Sequence, residues 1–510
     1  MNGAPSSIAL SLVSHTNAGK TTLARTLLGR DIGEVRDAPH VTEFADVFTM
    51  LETAHGETLR LWDTPGFGDS VRLVRRLRES TGAMGWFLSE VWDRWRDRPF
   101  WASQQALRNV RDEADVMLYL VNASEAPEAA GYVQPEMELL AWVGKPVIVL
   151  LNQLGAPREA AMEGAELDQW RRHLAAYAQV KAVLPLDAFA RCWVQEGTLL
   201  QAIEAALTGE RRALMGRLRA AWEAQRLATF EASVASIAGS LARLAAAFEV
   251  VPDAGSLRSR LRSVGAAIGV GSSDDSPAAS AQKKLAERMA EEVRRNTLQL
   301  IRLHGLGGQV QAEILTRLAT HFETRLRLDE GKAAVWGGLV TGAIAGLKAD
   351  ILSGGLTLGG GLIAGGLLGA LGAAGLARCV NLVRGTEQSW LAWNAESLDA
   401  MVDAALLRYL TVAHFGRGRG DWVEGESPPH WKDTTREALA PHRDTLAALW
   451  AGRDARSDDA AESARLSAAL ALVIRGAAAT ALQLLYPGAQ ALTERAALRE
   501  SAQGERSASQ

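Results

Sequence analysis

The chain has 510 residues, a formal net charge of −4 and two cysteines, with a sequence pI near 6.2. A chain of this length buries a substantial core and holds roughly two to four domains. The mild acidity provides no global basic field, so no nucleic-acid partner is expected. Cys192 and Cys379 form no CxxC pair and the nine histidines show no metal-ligand spacing, so a reducing, cytoplasmic setting is expected. No basic-then-apolar leader precedes Ile8.

Residues 1–207 alternate short apolar runs with helical patterns, which predicts an α/β domain on a mostly parallel sheet. Its strands are expected at 8–13, 44–51, 58–63, 115–121, 146–151 and 182–186, the second and third joined through Ala54-His-Gly-Glu57. The first strand runs into Ser14-His-Thr-Asn-Ala-Gly-Lys-Thr21, and a helical pattern follows from Thr22. Strand, glycine-containing turn and helix are the context of a phosphate-binding loop. Ser14, Asn17, Ala18, Gly19, Lys20, Thr21 and Thr22 would surround a triphosphate, with Lys20 on the β- and γ-phosphates and the Thr21 hydroxyl on Mg²⁺. Ser14 stands where glycine is usual, which a negative φ accommodates. The His15 side chain is expected to face away from the phosphates.

Further along, Leu61-Trp-Asp-Thr-Pro-Gly66 closes another strand and would bring Asp63 to the metal and the Gly66 N–H to the γ-phosphate. Between the two motifs, Asp37-Ala-Pro-His-Val-Thr42 offers Thr42 as the threonine that joins Mg²⁺ and γ-phosphate when a switch loop orders. A longer span than a minimal switch domain needs lies at about 69–112, with Trp86, Trp92, Trp95 and Trp101 among many arginines. It reads as an amphipathic helical insertion packing its indoles on the domain, or as a partner surface beside the second switch. The strand at 146–151 ends in Asn152-Gln-Leu-Gly155. Guanine-specific sites carry Asn-Lys-x-Asp here, so Asn152 and Gln153 are candidate base contacts while Gly155 lacks the bidentate acceptor, a loss of about 1–3 kcal/mol of discrimination. Asp187 and Ala188, after the last strand, are candidates for the backbone contact to the guanine carbonyl.

From 208 onward strands are expected to disappear, and segments 208–249, 281–325, 386–414, 434–452 and 460–485 have helical periodicity. The domain reading is therefore 1–207 α/β, 208–486 all-α, and a flexible tail at 487–510. Within the helical half, 333–347 and 351–377 carry no charge, and Gly338, Gly342 and Gly346, like Gly361, Gly365 and Gly369, are spaced by four. That spacing places small residues on one face and lets two helices approach closely. The hairpin at 333–377 is open to two readings, a packed soluble pair or insertion into a membrane.

The first 205 or so residues resemble the translation-factor-like P-loop GTPases, in particular the branch of Era, TrmE and FeoB. Asn17 stands where that branch has the asparagine of its N-x-G-K-[ST] loop, and Phe67 follows Asp63-Thr-Pro-Gly66 where Ras-like proteins place a catalytic glutamine. The resemblance implies that a K⁺ ion held with the help of Asn17 assists hydrolysis, because a phenylalanine cannot orient water. The whole chain also resembles bacterial proteins that join such a GTPase to a helical C-terminal domain of unknown function. That likeness rests on Gly33-Glu-Val-Arg-Asp-Ala-Pro-His-Val-Thr42, on Leu151-Asn-Gln153 and on the glycine-rich hairpin.

The expected activity is a GTP-binding and GTP-hydrolysing switch, slow without K⁺ or a partner, in which Lys20, Thr42, Gly66 and Asn17 are the catalytic group and Thr21, Thr42 and Asp63 the Mg²⁺ ligands. Its partners would be GTP and GDP, a membrane through 333–377, and a protein or second copy through the nucleotide domain. Two alternatives remain at this stage: a dynamin-like membrane-acting GTPase, and a scaffold that binds nucleotide without turnover.

Overall fold

The computed structural model describes residues 6–15, 18–29, 46–79, 98–153, 160–186, 192–251, 277–306, 380–384, 389–414, 430–454 and 460–498. By contacts the chain divides into two compact units, one of Met1–Leu227, His414–Pro428 and Tyr486–Leu492, the other of Ala228–Ala413, Pro429–Leu485 and Thr493–Gln510.

The first unit is built on a six-stranded sheet in the order β2-β3-β1-β4-β5-β6. Its strands are β1 (Ser7–Ser14), β2 (Asp46–Glu52), β3 (Thr58–Asp63), β4 (Val116–Asn122), β5 (Val147–Asn152) and β6 (Val180–Pro185). All six expected strands are present. β1, β3, β4, β5 and β6 run parallel, and only β2 is antiparallel to its neighbour. The central strands β4 and β5 are apolar up to their closing asparagines and buried almost throughout. A parallel sheet covered by helices on both faces requires that composition. β2 sits at the edge and has only exposed and half-buried positions. Helices α1 (Lys20–Leu28), α2 (Ser70–Glu79), α3 (Arg98–Glu113), α4 (Val133–Val143), α5 (Ala160–Leu174) and α6 (Trp193–Ala206) complete this unit, joined by the first turns of α7 (Gly209–Ala246). One core contains Val13, Phe67, Leu107, Val110, Tyr119, Val121, Leu139 and Val149, all with no exposed surface. Because β1 lies between β3 and β4, with the chain filling the β2–β3 side before it crosses to β4, the carboxyl ends of β1 and β4 open a crevice where ligands of such sheets bind.

One expectation is corrected in the regions flanking this sheet. Residues 490–498, expected in a flexible tail at 487–510, form a helix, α13 (Gln490–Leu498). Leu492 is buried, lying so close to Gly197 and Trp222 that a Cβ at Gly197 would stand 2.6 Å from it. One inward leucine at a glycine notch is enough to dock a short helix that composition marks as polar. The insertion at 69–112 includes α2 and α3 as the expected helices, with Trp101 half-buried; Trp86, Trp92 and Trp95 lie outside the described residues.

The second unit is mostly helical, formed by the later part of α7 with α8 (Pro277–Leu303), α9 (Ala395–Ala413), α10 (Trp431–Leu439), α11 (Arg443–Ala451) and α12 (Ala460–Leu485). Strands do not disappear after 208, however. β7 (Phe248–Val251), β8 (Val380–Arg384) and β9 (Ser389–Trp393) form an antiparallel sheet in the order β7-β9-β8. Phe248 pairs with Ala392 and Val380 with Trp393. The expected helix at 386–414 therefore starts only at Ala395, where the Asn394 side chain accepts a 2.8 Å hydrogen bond from the Ser397 N–H and so caps it. Each strand is too short to carry its own period, and β7 finds its partner more than a hundred residues away. Trp393 is fully buried, and the Arg453 guanidinium donates to the carbonyls of Trp393 and Ala245.

Of the described helices, the stretch Ala461–Leu485 is long and apolar enough to cross a membrane by length and composition, with a mean hydropathy of 1.7 over its best window. Half of that window is buried in the structure, and Arg475 within it pairs with Glu231 at 2.8 Å. The glycine-rich hairpin at 333–377 lies outside the described residues.

Candidate functional site

The carboxyl end of β1 and the start of α1 bring the first motif together. Gly19 precedes α1 with φ +85°, a left-handed turn that glycine adopts without strain. The turn leads directly into the N-terminus of α1, an arrangement that binds anions. Lys20 is buried, and its ammonium donates to Ser14 Oγ at 2.9 Å. Ser14 thus occupies the first loop position from within β1 and presents an oxygen to the lysine, which a glycine would not. Thr22 and Ala18 are also buried beside the turn.

The second motif meets the first through its metal-type oxygens. The Thr21 hydroxyl donates to Asp63 Oδ2 at 2.6 Å. Asp63 closes β3 and is 3% exposed, and its second oxygen, Oδ1, is buried without a hydrogen-bond partner. An orphaned carboxylate oxygen beside a hydroxyl is a hard two-oxygen donor set, which suits Mg²⁺ completed by water and phosphate. Among the described residues no group of three or more His, Cys, Asp or Glu could hold a metal. Burial pushes the Lys20 ammonium down and the Asp63 carboxyl up from their ordinary values. Opposite charge placed against each, phosphate on Lys20 and a cation on Asp63, would relieve both.

Behind Asp63, the Thr64 hydroxyl donates to Leu12 O at 2.5 Å and the Phe67 N–H to Ser14 O at 2.9 Å. The segment carrying Gly66 is therefore fastened to β1. Ser103 on α3 holds the same turn, accepting from the Gly68 N–H at 3.1 Å and donating to Gly66 O at 3.3 Å. Phe67 has no exposed surface, so its ring serves the core at the position where related switches orient water.

At the other rim, Asn152 closes β5 and donates from Nδ2 to Ala18 O at 2.9 Å. Its amide is a strut under the phosphate loop. Gln153 follows with φ 59°, the only non-glycine residue with positive φ among those described. Asn17, Thr42, Asp187 and Ala188, together with Gly155, lie outside the described residues. Sequence reasoning missed Ser103 and Glu136, which sit on helices with no motif around them. Glu136 is fully buried on α4 and accepts from His15 at 2.8 Å and from the Tyr119 hydroxyl at 2.7 Å. The available signal was that Glu136 shares the buried side of its helix with Val133, Met137, Leu139, Leu140 and Val143.

Residues 9–153 match the family of 50S ribosome-binding GTPases, and residues 171–473 match a domain of unknown function, DUF3482. The chain belongs to the DUF3482 family. Its N-terminal part is a P-loop GTPase domain, by that match and by the sheet and loop described above. No curated protein matches this DUF3482 member. Among solved structures it is similar to Era in complex with MgGDPNP and nucleotides 1506–1542 of 16S ribosomal RNA, at 19% identity and TM-score 0.26 over 36% of this chain and 51% of that one. The chain thus aligns with about half the length of that Era. An Aquifex aeolicus Era variant bound to GDP·AlF4⁻ matches at 14% identity and TM-score 0.28 over 59% and 99%. The chloroplast translocon components atToc33 and psToc159, whose dimerization is important for their GTPase activity, match at 12% identity and TM-score 0.27 over 41% and 84%.

Proposed function

We propose that this DUF3482 protein is a Mg²⁺-dependent GTP-binding and GTP-hydrolysing switch whose helical half is the effector or membrane-contacting part. The observation that carries the reading is the convergence of Lys20, Thr21 and Asp63 at the end of β1, with Asp63 Oδ1 buried and unpaired. Thr21 and Asp63 would hold Mg²⁺, together with Thr42. The ion would spread the phosphate charge that builds as the terminal bond breaks. Lys20 neutralises the β- and γ-phosphates, and the Gly66 N–H, on the turn held by Ser103, donates to a γ-phosphate oxygen. Water attacks the γ-phosphorus, the bond to the β-phosphate oxygen breaks, and GDP and phosphate leave.

Phe67 cannot place that water. Asn17 with K⁺, or a protein or second copy of the chain against the nucleotide domain, would supply the missing assistance. Burial of Phe67 also favours a second reading, a scaffold that binds nucleotide without turnover. Single-turnover hydrolysis of GTP in KCl separates the two. A cytoplasmic protein that reaches the inner face of the membrane through 333–377 is the localisation that fits this reading.

The binding site itself is tested by Lys20→Ala. Loss of a charge-assisted phosphate contact of about 1.5–3 kcal/mol or more is expected to weaken a fluorescent GTP analogue at least tenfold while the circular dichroism spectrum stays unchanged. Wild-type affinity in the variant would refute the site.

A further inference from the structure

Glu136 has no direct part in the phosphate contacts, yet it is fully buried with both carboxylate oxygens satisfied. It has no exposed surface, and its two oxygens accept from His15 Nδ1 and the Tyr119 hydroxyl at 2.8 and 2.7 Å. A carboxylate buried in this way is costly unless it is paired and hydrogen-bonded. The cation it takes belongs to the phosphate loop itself, 121 positions away in sequence. The Tyr132 ring stacks on the imidazole with centroids 4.8 Å apart. His15 directly follows Ser14, whose Oγ accepts from Lys20 and whose carbonyl accepts from Phe67. A pull on His15 is therefore felt at the lysine and at the second switch.

The groups that act on the imidazole are Glu136 from α4, whose other oxygen is held by Tyr119 of β4, with Tyr132 from the turn before α4, Glu125 from the turn after β4 and Lys20 from α1. The hydrogen bond to Glu136 raises the imidazole above its ordinary value against the opposing effect of burial. Lys20 is the one cation among these neighbours that works against its protonation. Phosphates bound at Lys20 would cancel that opposition and add negative charge on the same side. By linkage, a ligand that raises the proton affinity of a group is bound more tightly when the group is protonated.

We propose that Glu136 is a positioning residue for the nucleotide that acts through His15, holding the imidazole charged against the phosphate loop so that nucleotide binding is coupled to proton uptake. This rests on the nucleotide reading of the site. The sign follows: affinity is greatest at low pH and falls as pH rises through the raised value of His15, by up to about tenfold for each unit that phosphates shift it.

Calorimetry of MgGDP binding at about pH 7.5, in HEPES and in Tris, reads the proton directly as a difference in heat between buffers. The wild type is expected to take up a fraction of a proton per nucleotide; Glu136→Gln, which keeps the shape, and His15→Gln are expected to take up none. In parallel, imidazole NMR of the nucleotide-free protein should show His15 titrating at lower pH in Glu136→Gln than in wild type. Equal heats in the two buffers for the wild type, or unchanged uptake in His15→Gln, would overturn the proposal. Should Glu136→Gln fail to fold, His15→Gln, whose side chain is 36% exposed, carries the same forecast. Failure of the wild type to bind MgGDP at any pH would overturn the nucleotide reading and this coupling together, whereas binding without proton uptake would overturn the coupling alone.

Discussion

Gly19→Ala is expected to loosen the phosphate loop by about 2–3 kcal/mol, through two separable effects. The backbone at Gly19 has φ +85°, and holding an alanine in the left-handed region costs about 1–2 kcal/mol. The new methyl would also stand 2.7 Å from Asn152 Nδ2, closer than real Cβ atoms come to a neighbour. Asn152 must then withdraw, and its buried hydrogen bond to Ala18 O is lost at about 1 kcal/mol. Hydrogen–deuterium exchange of peptides covering β1 and α1 in the nucleotide-free chain measures the local opening. Exchange there should quicken roughly 30- to 150-fold, at about tenfold per 1.4 kcal/mol, while α9 and α12 are unaffected. A double-mutant cycle divides the cost: in an Asn152→Ala background, Gly19→Ala should lose the share of about 1 kcal/mol that comes from the amide. Exchange within threefold of wild type for the single variant would refute the reasoning, and a fully additive cycle would refute the assignment of Asn152 as the strut.

Three further outcomes are expected. Steady-state GTP hydrolysis should be faster in KCl than in NaCl at matched ionic strength, through Asn17; equal rates would turn attention to a dimer or protein activator. Discrimination of GDP from ADP by calorimetry should fall short of that of sites with a complete Asn-Lys-x-Asp motif by about 1–3 kcal/mol, because Gly155 has no side chain to accept the two guanine donors; a preference of many thousandfold would point to another acceptor, with Asp187 the first to mutate. Fractionation of cells expressing the full chain should recover part of it with the membrane through 333–377, and recovery wholly in the soluble fraction, with and without a non-hydrolysable nucleotide, would rule out stable membrane residence.

Much of the first unit was legible from local signals. The central strands β4 and β5 are apolar runs up to their closing asparagines, because both faces are covered, and all six strands could be placed within a few residues. The phosphate loop was legible because its chemistry depends on neighbouring residues: one turn must supply a left-handed glycine, a lysine and a threonine in fixed order. In the helical half, periodicity located most of the long helices, α12 at 460–485 among them. It failed at 389–393, where a five-residue strand runs almost directly into a capped helix and the two periods cannot be separated.

Sequence alone thus determined the α/β sheet, the phosphate loop and the acid that closes β3, since each follows from residues adjacent in the chain. What only the tertiary structure decided involves partners brought together across long stretches of chain. The β7–β9 pairing joins residues more than a hundred positions apart. Asn152 became the strut of a loop 134 residues away, and Ser103 the fastener of Gly66. Phe67, which follows a switch motif in sequence, went into the core. Glu136 acquired its meaning only when the sheet set β1 beside β4 and so brought His15 and Tyr119 to the same carboxylate. A buried charge must find its partner wherever the fold delivers one, and no local pattern announces where that is.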